Sequence, residues 1–287
     1  MIISNKGETK LNLYEETQML LRQYNLRAKK KFGQNFLINR EIIEQIISKS
    51  EISKDDVVLE IGPGLGTLTK ELLKSAKKVI AVELDEDMVS ILHNRFNDPN
   101  LEIINEDILK LDLHDITSKY GRIKVVANLP YYITTPIIMK LLEDNVDISS
   151  ITVMVQKEVG ERLCGSLKDK NNGAITFSIK YYADSKIIIS VPKDNFLPVP
   201  EVDSVVIKLE LLDKPRVEVK DKEVFFGIIK SAFSQRRKTI NNSLASGIYT
   251  KEQIINCLNN LGINPMLRAE NLSIQDYADI SNYLENN

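Results

Sequence analysis

The chain has 287 residues, of which 43% are hydrophobic, so it is long enough to bury a substantial core, and we expect two domains. Its 38 basic and 40 acidic residues nearly cancel, which excludes a uniformly basic nucleic-acid-binding protein, so any RNA-binding surface must be a local patch. Cys164 and Cys257 are the only cysteines and lie far apart, so we expect no disulfide framework, no structural zinc site and no other metal.

Residues 1–25 form a polar arm, in which a helix is predicted at 13–24. Residues 1–10 lack the apolar run of a signal peptide, and no later stretch approaches the roughly 18 apolar residues of a membrane span. We therefore expect a cytoplasmic monomer with no membrane partner.

From residue 57 onward, short apolar runs alternate with stretches whose apolar residues recur at i, i+3 and i+4. The apolar runs predict strands at 57–61, 79–84, 101–105 and 123–127. The amphipathic stretches predict helices at 67–76, 85–96 and 135–142. This alternation is typical of a doubly wound α/β sheet.

After residue 151 the pattern changes to strand-like runs, and further strands are predicted at 151–155, 174–182, 186–191 and 205–211. These strands would complete the sheet, partly in antiparallel orientation. Beyond residue 222 the chain predicts helices, such as 224–233 and 251–261, with breaks at Gly247 and at 262–265. We place a domain boundary near residue 213, between an α/β domain (1–213) and a smaller helical domain (214–287).

A glycine-rich segment, Glu60-Ile61-Gly62-Pro63-Gly64-Leu65-Gly66-Thr67, lies between the first predicted strand and helix of the sheet, which is the context of a cofactor loop. Glycines let the backbone turn sharply and approach a ligand closely. The spacing Gly-x-Gly-x-Gly differs from that of dinucleotide loops, the Lys-Ser/Thr of a P-loop is missing, and an acidic residue precedes the glycines. This combination favours S-adenosylmethionine over NAD or ATP as the cofactor.

Two acidic residues follow the next two predicted strands, where ligands of doubly wound folds bind. Glu83 ends one strand, 21 residues after Gly62, where its carboxylate can accept hydrogen bonds from both ribose hydroxyls. Asp107 ends the next strand and can receive an adenine amino group. The alternative for Asp107 is the capping of a following helix.

The tetrapeptide Asn128-Leu129-Pro130-Tyr131 follows the fourth strand. An adenine amino group is a poor nucleophile because its lone pair is delocalised, so an enzyme gains by orienting it and accepting its N–H protons. The side-chain oxygen of Asn128 and the backbone carbonyl of Leu129 can do both. Tyr131 offers a ring for stacking, which is worth about 1–3 kcal/mol per base. The motif therefore predicts methylation of an adenine N6.

Four further segments extend the pattern: 30–37 (Lys-Lys-Phe-Gly-Gln-Asn-Phe-Leu), 195–204 (Asn-Phe-Leu-Pro-Val-Pro-Glu-Val-Asp-Ser), 233–239 and 268–273. With them, nearly the whole chain resembles the ribosomal RNA adenine dimethylase family, most closely its small-subunit branch. The resemblance implies a Rossmann-like methyltransferase domain with a mostly parallel, seven-stranded sheet, followed by a smaller helical RNA-binding domain.

The resemblance also implies site residues. Gln34, Asn35 and Leu37 would line the methionine end of the cofactor. The cofactor-binding set would then comprise Gln34, Asn35, Leu37, Glu60, Gly62, Gly64, Gly66, Glu83, Leu84, Asp107, Ile108 and Asn128. Phe196 would be the second face of an aromatic sandwich with Tyr131 around a flipped base. Its alternative role is a core side chain beside the two prolines.

Two basic segments are candidate RNA-binding sites in this resemblance: Lys29-Lys30-Lys31 and Arg236-Arg237-Lys238. Guanidinium and ammonium groups suit phosphate oxygens along an RNA backbone, although a solvated helix face is the plainer interpretation of the second segment.

The family implies dimethylation of N6 on two adjacent adenosines in the 3′-terminal hairpin loop of 16S ribosomal RNA. Its substrate would be a late assembly intermediate of the 30S subunit, so the chain would take part in rRNA processing and ribosome biogenesis. Three alternatives stay open: the sister branch that methylates large-subunit RNA and confers macrolide resistance, an assembly factor whose methylation is secondary, and a DNA adenine methyltransferase.

Overall fold

The structure is a computed structural model that describes residues 12–26, 33–166, 172–245 and 249–285. The chain divides into two compact units, one of Met1–Lys157 with Ile188–Val206 and one of Glu158–Ile187 with Ile207–Asn287. No helix in the described ranges is both long and apolar enough to cross a lipid bilayer.

The strands are β1 (Phe36–Leu37), β2 (Val57–Ile61), β3 (Lys78–Glu83), β4 (Leu101–Asn105), β5 (Ile123–Asn128), β6 (Ile148–Gln156), β7 (Ala183–Val191), β8 (Phe196–Leu197) and β9 (Ser204–Leu211). The helices of the first unit are α1 (Leu13–Gln23), α2 (Arg40–Lys49), α3 (Thr67–Ser75), α4 (Glu86–Arg95), α5 (Leu113–Tyr120) and α6 (Thr134–Glu143). Those that follow are α7 (Lys157–Cys164), α8 (Ala174–Tyr182), α9 (Lys222–Ser234), α10 (Ile240–Leu244), α11 (Lys251–Asn260) and α12 (Ile274–Glu285).

Seven strands form one sheet in the order β4-β3-β2-β5-β6-β9-β7, and β1 pairs with β8 in a separate antiparallel ribbon. The pairs β2–β3, β2–β5, β3–β4 and β5–β6 are parallel. All residues of β2 are buried, as expected for a parallel strand covered on both faces. The predicted doubly wound α/β sheet is therefore confirmed.

The strand order reverses beside β2, because β3 and β4 lie on one side of it and β5 and β6 on the other. Loops that leave the carboxyl ends of β2 and β5 diverge at such a point, and the crevice between them is where ligands bind in doubly wound folds. The glycine loop follows β2 and the tetrapeptide begins at the last residue of β5. The topology thus brings the two sequence motifs to one edge of the sheet.

Helix α8 corrects the strand predicted at 174–182. The segment is rich in β-branched and aromatic residues, which favour strands, but Phe177 and Tyr181 are four residues apart and lie on one face of a helix. That face packs into an aromatic core. The ring centroid of Phe177 lies 5.2 Å from that of Phe233 and 5.1 Å from that of Tyr277. Packing in the second unit therefore overrides local propensity. Helices α2, α5 and α7 and the short strands β1 and β8 were not predicted.

The division into units also differs from the predicted boundary near residue 213. Residues from Glu158 to Ile187, which include α8, group with the C-terminal helices rather than with the sheet's N-terminal half. The aromatic core accounts for this grouping, because Phe177 of α8 packs against rings of α9 and α12.

We expect Phe177→Ala to lower the free energy of unfolding by about 3–5 kcal/mol, because it removes a fully buried ring and leaves a cavity. Urea unfolding followed by tyrosine fluorescence measures this, since the chain has no tryptophan. Ile187→Ala is the control, because Ile187 is 40% exposed, and it should cost about 0.5 kcal/mol or less. Equal costs for the two variants would contradict the helical core.

Candidate active site

A cavity of about 1200 Å³, counting the part that opens to solvent, lies in the first unit at the carboxyl ends of β2, β3 and β5. Its lining includes these residues of the predicted cofactor set: Gln34, Asn35, Leu37, Glu60, Gly62, Gly64, Glu83, Leu84, Asp107, Ile108 and Asn128. The predicted catalytic residues Leu129, Pro130 and Tyr131 line it as well. Gly66 and Phe196 are the members of the two predicted sets in this unit that do not.

Gly62 and Gly64 shape the cavity floor through their backbone. Both have positive φ angles, +66° and +55°, which strain any residue with a Cβ atom. A Cβ atom built on Gly62 would meet nothing closer than the Asn128 backbone oxygen at 4.0 Å, so it would occupy cavity space. The N–H of Gly62 donates to the carbonyl of Val82 at 2.9 Å, which fixes the loop against β3.

Gly66 has a packing role instead. It is the N-cap of α3 and has a φ of +78°. A Cβ atom at this position would lie 2.4 Å from Phe96 and 2.8 Å from Leu92, so only a glycine lets α3 begin this close to the end of α4. The third glycine of the motif is thus explained by packing between elements.

Glu83 ties the glycine loop to the start of α4. One carboxylate oxygen accepts from the N–H of Gly64 at 3.0 Å, and the other accepts from the N–H of Asp85 at 2.9 Å. Burial raises the pKa of Glu83, while these backbone donors act in the opposite direction. A carboxylate offers about four acceptor positions, so each oxygen retains capacity for a ligand hydroxyl.

Gln34 joins this arrangement from a distant part of the sequence. Its side-chain amide donates to the carboxylate of Asp85 at 3.0 Å, and Asp85 in turn caps α4 by accepting from the N–H of Asp87 at 3.2 Å. Gln34 therefore fixes the segment that precedes β1 at the rim of the cavity.

Glu60 is a buried carboxyl group at the cavity wall, with 1% of its surface exposed. Burial, to which the charge of Glu83 adds, raises the pKa of Glu60 to about 8. Its Oε2 atom receives no hydrogen bond from the described residues. That oxygen is therefore an unsatisfied acceptor that a donor in the cavity would complete, while hydrogen bonds from Thr69 oppose the rise in the pKa of the group.

Asp107 has two functions within the described structure. It lines the cavity beside the buried Ile108, and its Oδ1 atom accepts from the N–H of Leu109 at 3.0 Å, which caps a local turn. The following helix, α5, is capped by Asp112 and not by Asp107, so the helix-capping alternative was wrong. Its other oxygen accepts no hydrogen bond from the described residues, so capping and ligand binding are compatible.

The charge of the cavity indicates which cofactors fit. Glu60 and Glu83 are buried carboxyl groups with raised pKa values, and Asp107 adds a third carboxylate. A cationic ligand offsets the cost of ionising these groups, whereas the phosphates of NAD or ATP would increase it. These acidic residues therefore fit S-adenosylmethionine, which carries a positively charged sulfonium and an ammonium group.

Asn128 has a defined side-chain orientation. Its Nδ2 atom donates to the backbone carbonyl of Asn35 at 3.1 Å, and a carbonyl at this position can only face the NH₂ end of the amide. The Asn35 side chain in turn donates to the carbonyl of Gly33 at 3.2 Å, which stabilises the local turn. Because Asn128 lines the cavity, its Oδ1 atom remains as an acceptor there.

The rest of the tetrapeptide is also held in place. The Pro130 carbonyl accepts from the N–H of Ile133 at 3.2 Å and from the Thr134 hydroxyl at 3.1 Å. The Leu129 carbonyl accepts from no donor in the described residues, so it is a second acceptor beside Asn128. The Tyr131 hydroxyl forms a 2.8 Å hydrogen bond with Ser204, and burial raises the pKa of Tyr131, so this hydroxyl stays protonated.

Phe196 does not occupy the position predicted for it. It is 1% exposed and packs in the core with Leu37, its neighbour along the β1–β8 ribbon, and with Val206. The antiparallel pairing directs the side chain into the core, which is the alternative role considered from the sequence. In this structure Phe196 is therefore not an open face of a sandwich with Tyr131.

Sequence reasoning missed Tyr132 and Ser204. Tyr132 lines the cavity and is 57% exposed, although it directly follows the tetrapeptide. Ser204 ends the predicted 195–204 segment and holds the Tyr131 hydroxyl. The only available signal was proximity to a motif, which does not show where a side chain points.

The predicted RNA-binding residues fall in two places. Lys29, Lys30 and Lys31 lie outside the described residues. Arg236, Arg237 and Lys238 follow α9 in the second unit and are exposed. Arg236 donates to the carbonyl of Asn172 at 2.6 Å, so part of its guanidinium is used within that unit.

A doubly wound sheet with a glycine loop after β2 and a cation-accepting cavity at the strand ends defines an S-adenosylmethionine-dependent methyltransferase. The model of the family described as ribosomal RNA adenine dimethylase matches residues 25–286. The chain belongs to the ribosomal RNA adenine dimethylase family, as the sequence resemblance predicted.

Individual relatives agree with this assignment. A protein of Clostridium botulinum (strain Langeland) named Ribosomal RNA small subunit methyltransferase A is 46% identical over 266 residues, which cover 92% of this chain and 97% of that protein. A protein of the same name from Macrococcus caseolyticus is 46% identical over 278 residues and 94% of each chain. The crystal structure of a dimethyladenosine transferase from Plasmodium falciparum is similar, with a TM-score of 0.73, 26% identity, and coverage of 84% of this chain and 94% of that one.

We expect Gly62→Ala and Gly66→Ala to affect different properties. Both substitutions strain the backbone by about 1–2 kcal/mol. The methyl group of Gly62→Ala enters the cavity, so we expect the Kd for S-adenosylmethionine to rise about tenfold. Gly66→Ala collides with Phe96 and Leu92, so it should lose a further 1–3 kcal/mol or so of stability by overpacking.

Calorimetric titration of S-adenosylmethionine and urea unfolding without ligand measure these two effects. The packing role of Gly66 would be wrong under one combination of results. In that case the two variants would have the same free energy of unfolding, and Gly66→Ala would have the higher Kd for S-adenosylmethionine.

Glu60 should make the ligand-free protein less stable as the pH rises. Below the ordinary pKa of 4.5, the carboxyl group is neutral in both the folded and the unfolded chain. Between 4.5 and about 8 it ionises only in the unfolded chain, so this stability is lost over that window. The loss amounts to about 1.4 kcal/mol per unit of pKa difference.

Urea unfolding of wild type and Glu60→Gln at pH 5 to 8.5 measures this contribution, and Glu60→Gln should show the flatter profile. Glu44→Gln, at an exposed position on α2, is the control and should retain the wild-type slope. Identical slopes for wild type and Glu60→Gln would refute a neutral Glu60.

Proposed function

We propose that the chain dimethylates N6 of two adjacent adenosines in the 3′-terminal hairpin loop of 16S ribosomal RNA, with S-adenosylmethionine as methyl donor. Its substrate is a late assembly intermediate of the 30S subunit, on which it acts as a cytoplasmic monomer. Relatives of 41% to 46% identity that carry the name Ribosomal RNA small subunit methyltransferase A support the choice of subunit. The hairpin loop and the assembly stage rest on the family resemblance.

In this proposal the carboxylates hold the cofactor. When bound, S-adenosylmethionine supplies an electrophilic methyl group on its sulfonium. Glu83 accepts from the ribose hydroxyls with the acceptor capacity that its bonds to Gly64 and Asp85 leave over. Asp107 accepts from the adenine amino group through its unused oxygen. Glu60 faces the cationic end, together with Gln34, Asn35 and Leu37 along the cavity wall.

The orientation of Asn128 is the observation that carries the proposal. With Nδ2 bound to the Asn35 carbonyl, Oδ1 and the neighbouring Leu129 carbonyl form a pair of acceptors. The two N–H groups of an adenine N6 match such a pair. Hydrogen bonds accepted from both N–H groups would free the nitrogen lone pair and direct it toward the methyl group, and one N–H proton would leave to solvent for each methyl group gained. The ring of Tyr131, held by Ser204, stacks on the adenine.

RNA contacts outside the cavity complete the proposal. Arg237 and Lys238 are exposed cations that suit phosphate oxygens, and Arg236 beside them is exposed as well. Lys29, Lys30 and Lys31 are proposed for the same role. These contacts would position the RNA without reading its sequence.

We expect Asn128→Ala to reduce methyl transfer at least about a hundredfold, because it removes one of two acceptors aimed at the reacting amine. The Kd for S-adenosylmethionine should stay within about twofold, since the carboxylates are unchanged. The assay measures transfer of labelled methyl groups to small and large ribosomal subunits from cells that lack this gene, followed by nucleoside analysis. Asn94→Ala, on the exposed face of α4, is the matched control and should be fully active.

The same assay distinguishes the alternatives. N6,N6-dimethyladenosine confined to the small subunit is the expected product. Label only in the large subunit would place the chain in the resistance branch, and no label in either would favour an assembly factor. Full activity of Asn128→Ala would show that the amine-orienting role is wrong.

A further inference from the structure

Tyr132 presents an aromatic ring that the proposed reaction does not yet use. At 57% exposure it is the most exposed of the large aromatic side chains in the described residues, and it lines the cavity. Tyr131 beside it is half-buried and tied to Ser204. Because Tyr132 both lines the cavity and reaches solvent, its ring lies where the cavity opens.

The ring is held by the backbone on one side. A Cβ atom built on Gly33 would lie 3.4 Å and 3.6 Å from two ring carbons of Tyr132, so the ring lies close to this glycine. Tyr132 is also the middle residue of the 3₁₀ turn Tyr131–Ile133, which the Pro130 carbonyl caps. With 57% of its surface exposed, Tyr132 presents much of its side chain to solvent beside this turn.

Extraction of the target base from its stack creates a need for such a ring. An enzyme that flips a nucleotide into a deep site leaves the neighbouring base without a stacking partner, at a cost of a few kcal/mol. A ring at the opening of the cavity can replace that partner. Phe196 cannot do so in this structure, because it is buried in the core.

We propose that Tyr132 stacks on the nucleobase adjacent to the target adenosine and so contributes to binding of the RNA rather than of the cofactor. This inference rests on the proposed function, because it assumes that an adenine of an RNA enters the cavity beside Asn128. Tyr132 would thus contact the substrate, because it is exposed at the cavity beside Gly33.

The test measures RNA affinity directly. The full chain, saturated with S-adenosylhomocysteine, is titrated against a fluorescein-labelled RNA hairpin with the 3′-terminal 16S sequence, and anisotropy gives the Kd. Tyr132→Ala should raise this Kd about tenfold, which corresponds to about 1.4 kcal/mol and lies within the range for one stacked base. Tyr132→Phe keeps the ring and should stay within about twofold of wild type.

Tyr14→Ala is the matched control, because Tyr14 is 42% exposed on α1 and does not line the cavity. Its RNA affinity should equal that of wild type. Calorimetric titration of each variant with S-adenosylmethionine reports whether the cavity is intact, and all Kd values should agree within about twofold.

Three results would overturn the inference. These are an unchanged RNA Kd for Tyr132→Ala, an equal loss in Tyr132→Phe, and a loss of cofactor affinity in Tyr132→Ala that accounts for its RNA defect. The last result would make Tyr132 a wall of the cofactor cavity supported by Gly33. Failure of the proposed function looks different, because wild type would then transfer no methyl group to small subunits. A wild-type chain that did not bind the hairpin would be a fourth such result, but it would leave the proposed function standing, because that function concerns RNA within an assembling subunit.

Discussion

The buried carboxylate of Glu83 is the constraint on which the cavity depends. It accepts from the backbone of Gly64 in the loop after β2 and from Asp85 at the start of α4, and Asp85 is held by Gln34 from the segment before β1. Three segments that are separate in sequence thus meet at two acidic residues, Glu83 and Asp85, which are two positions apart. The bonds to Glu83 come from backbone N–H groups, so they do not depend on which side chains the glycine loop carries. The exceptions are the glycines, which the φ angles of the loop require.

The same acidity determines what the cavity selects. Burial raises the pKa of Glu60 and of Glu83, so their charged forms are disfavoured in the empty cavity, and a cation that enters stabilises those charged forms. An anionic cofactor would instead disfavour ionisation of these carboxyl groups further. The net charge of −2 therefore does not show how charge is distributed over the protein. Acidic residues line the cavity, whereas Arg236, Arg237 and Lys238 are exposed on the second unit. For binding a cationic cofactor and an anionic RNA, the separate locations of the acidic and basic residues matter more than the net charge.

The sequence predicted the parallel sheet because its central strands are buried on both faces and appear as uninterrupted apolar runs, such as Val57–Ile61. It failed at Ala174–Tyr182, where the same kind of composition forms a helix. The difference lies in what each segment packs against. Phe177 and Tyr181 meet rings of Phe233 and Phe225 that come from a helix some 50 residues later, and no local pattern carries that information.

The site shows the same division between local and distant causes. Contiguous motifs supplied most of the cavity, since the loop after β2 and the residues after β5 meet wherever such a sheet forms. The motifs did not show where the side chains of their residues point. Phe196 turned inward because β8 pairs with β1, and Asn128 presents its oxygen because a carbonyl 93 residues away in sequence holds its nitrogen. An amide without that partner has two nearly equivalent orientations, and only one of them places an acceptor in the cavity. The chemistry proposed for the tetrapeptide therefore depends on Asn35, which the motif itself does not contain.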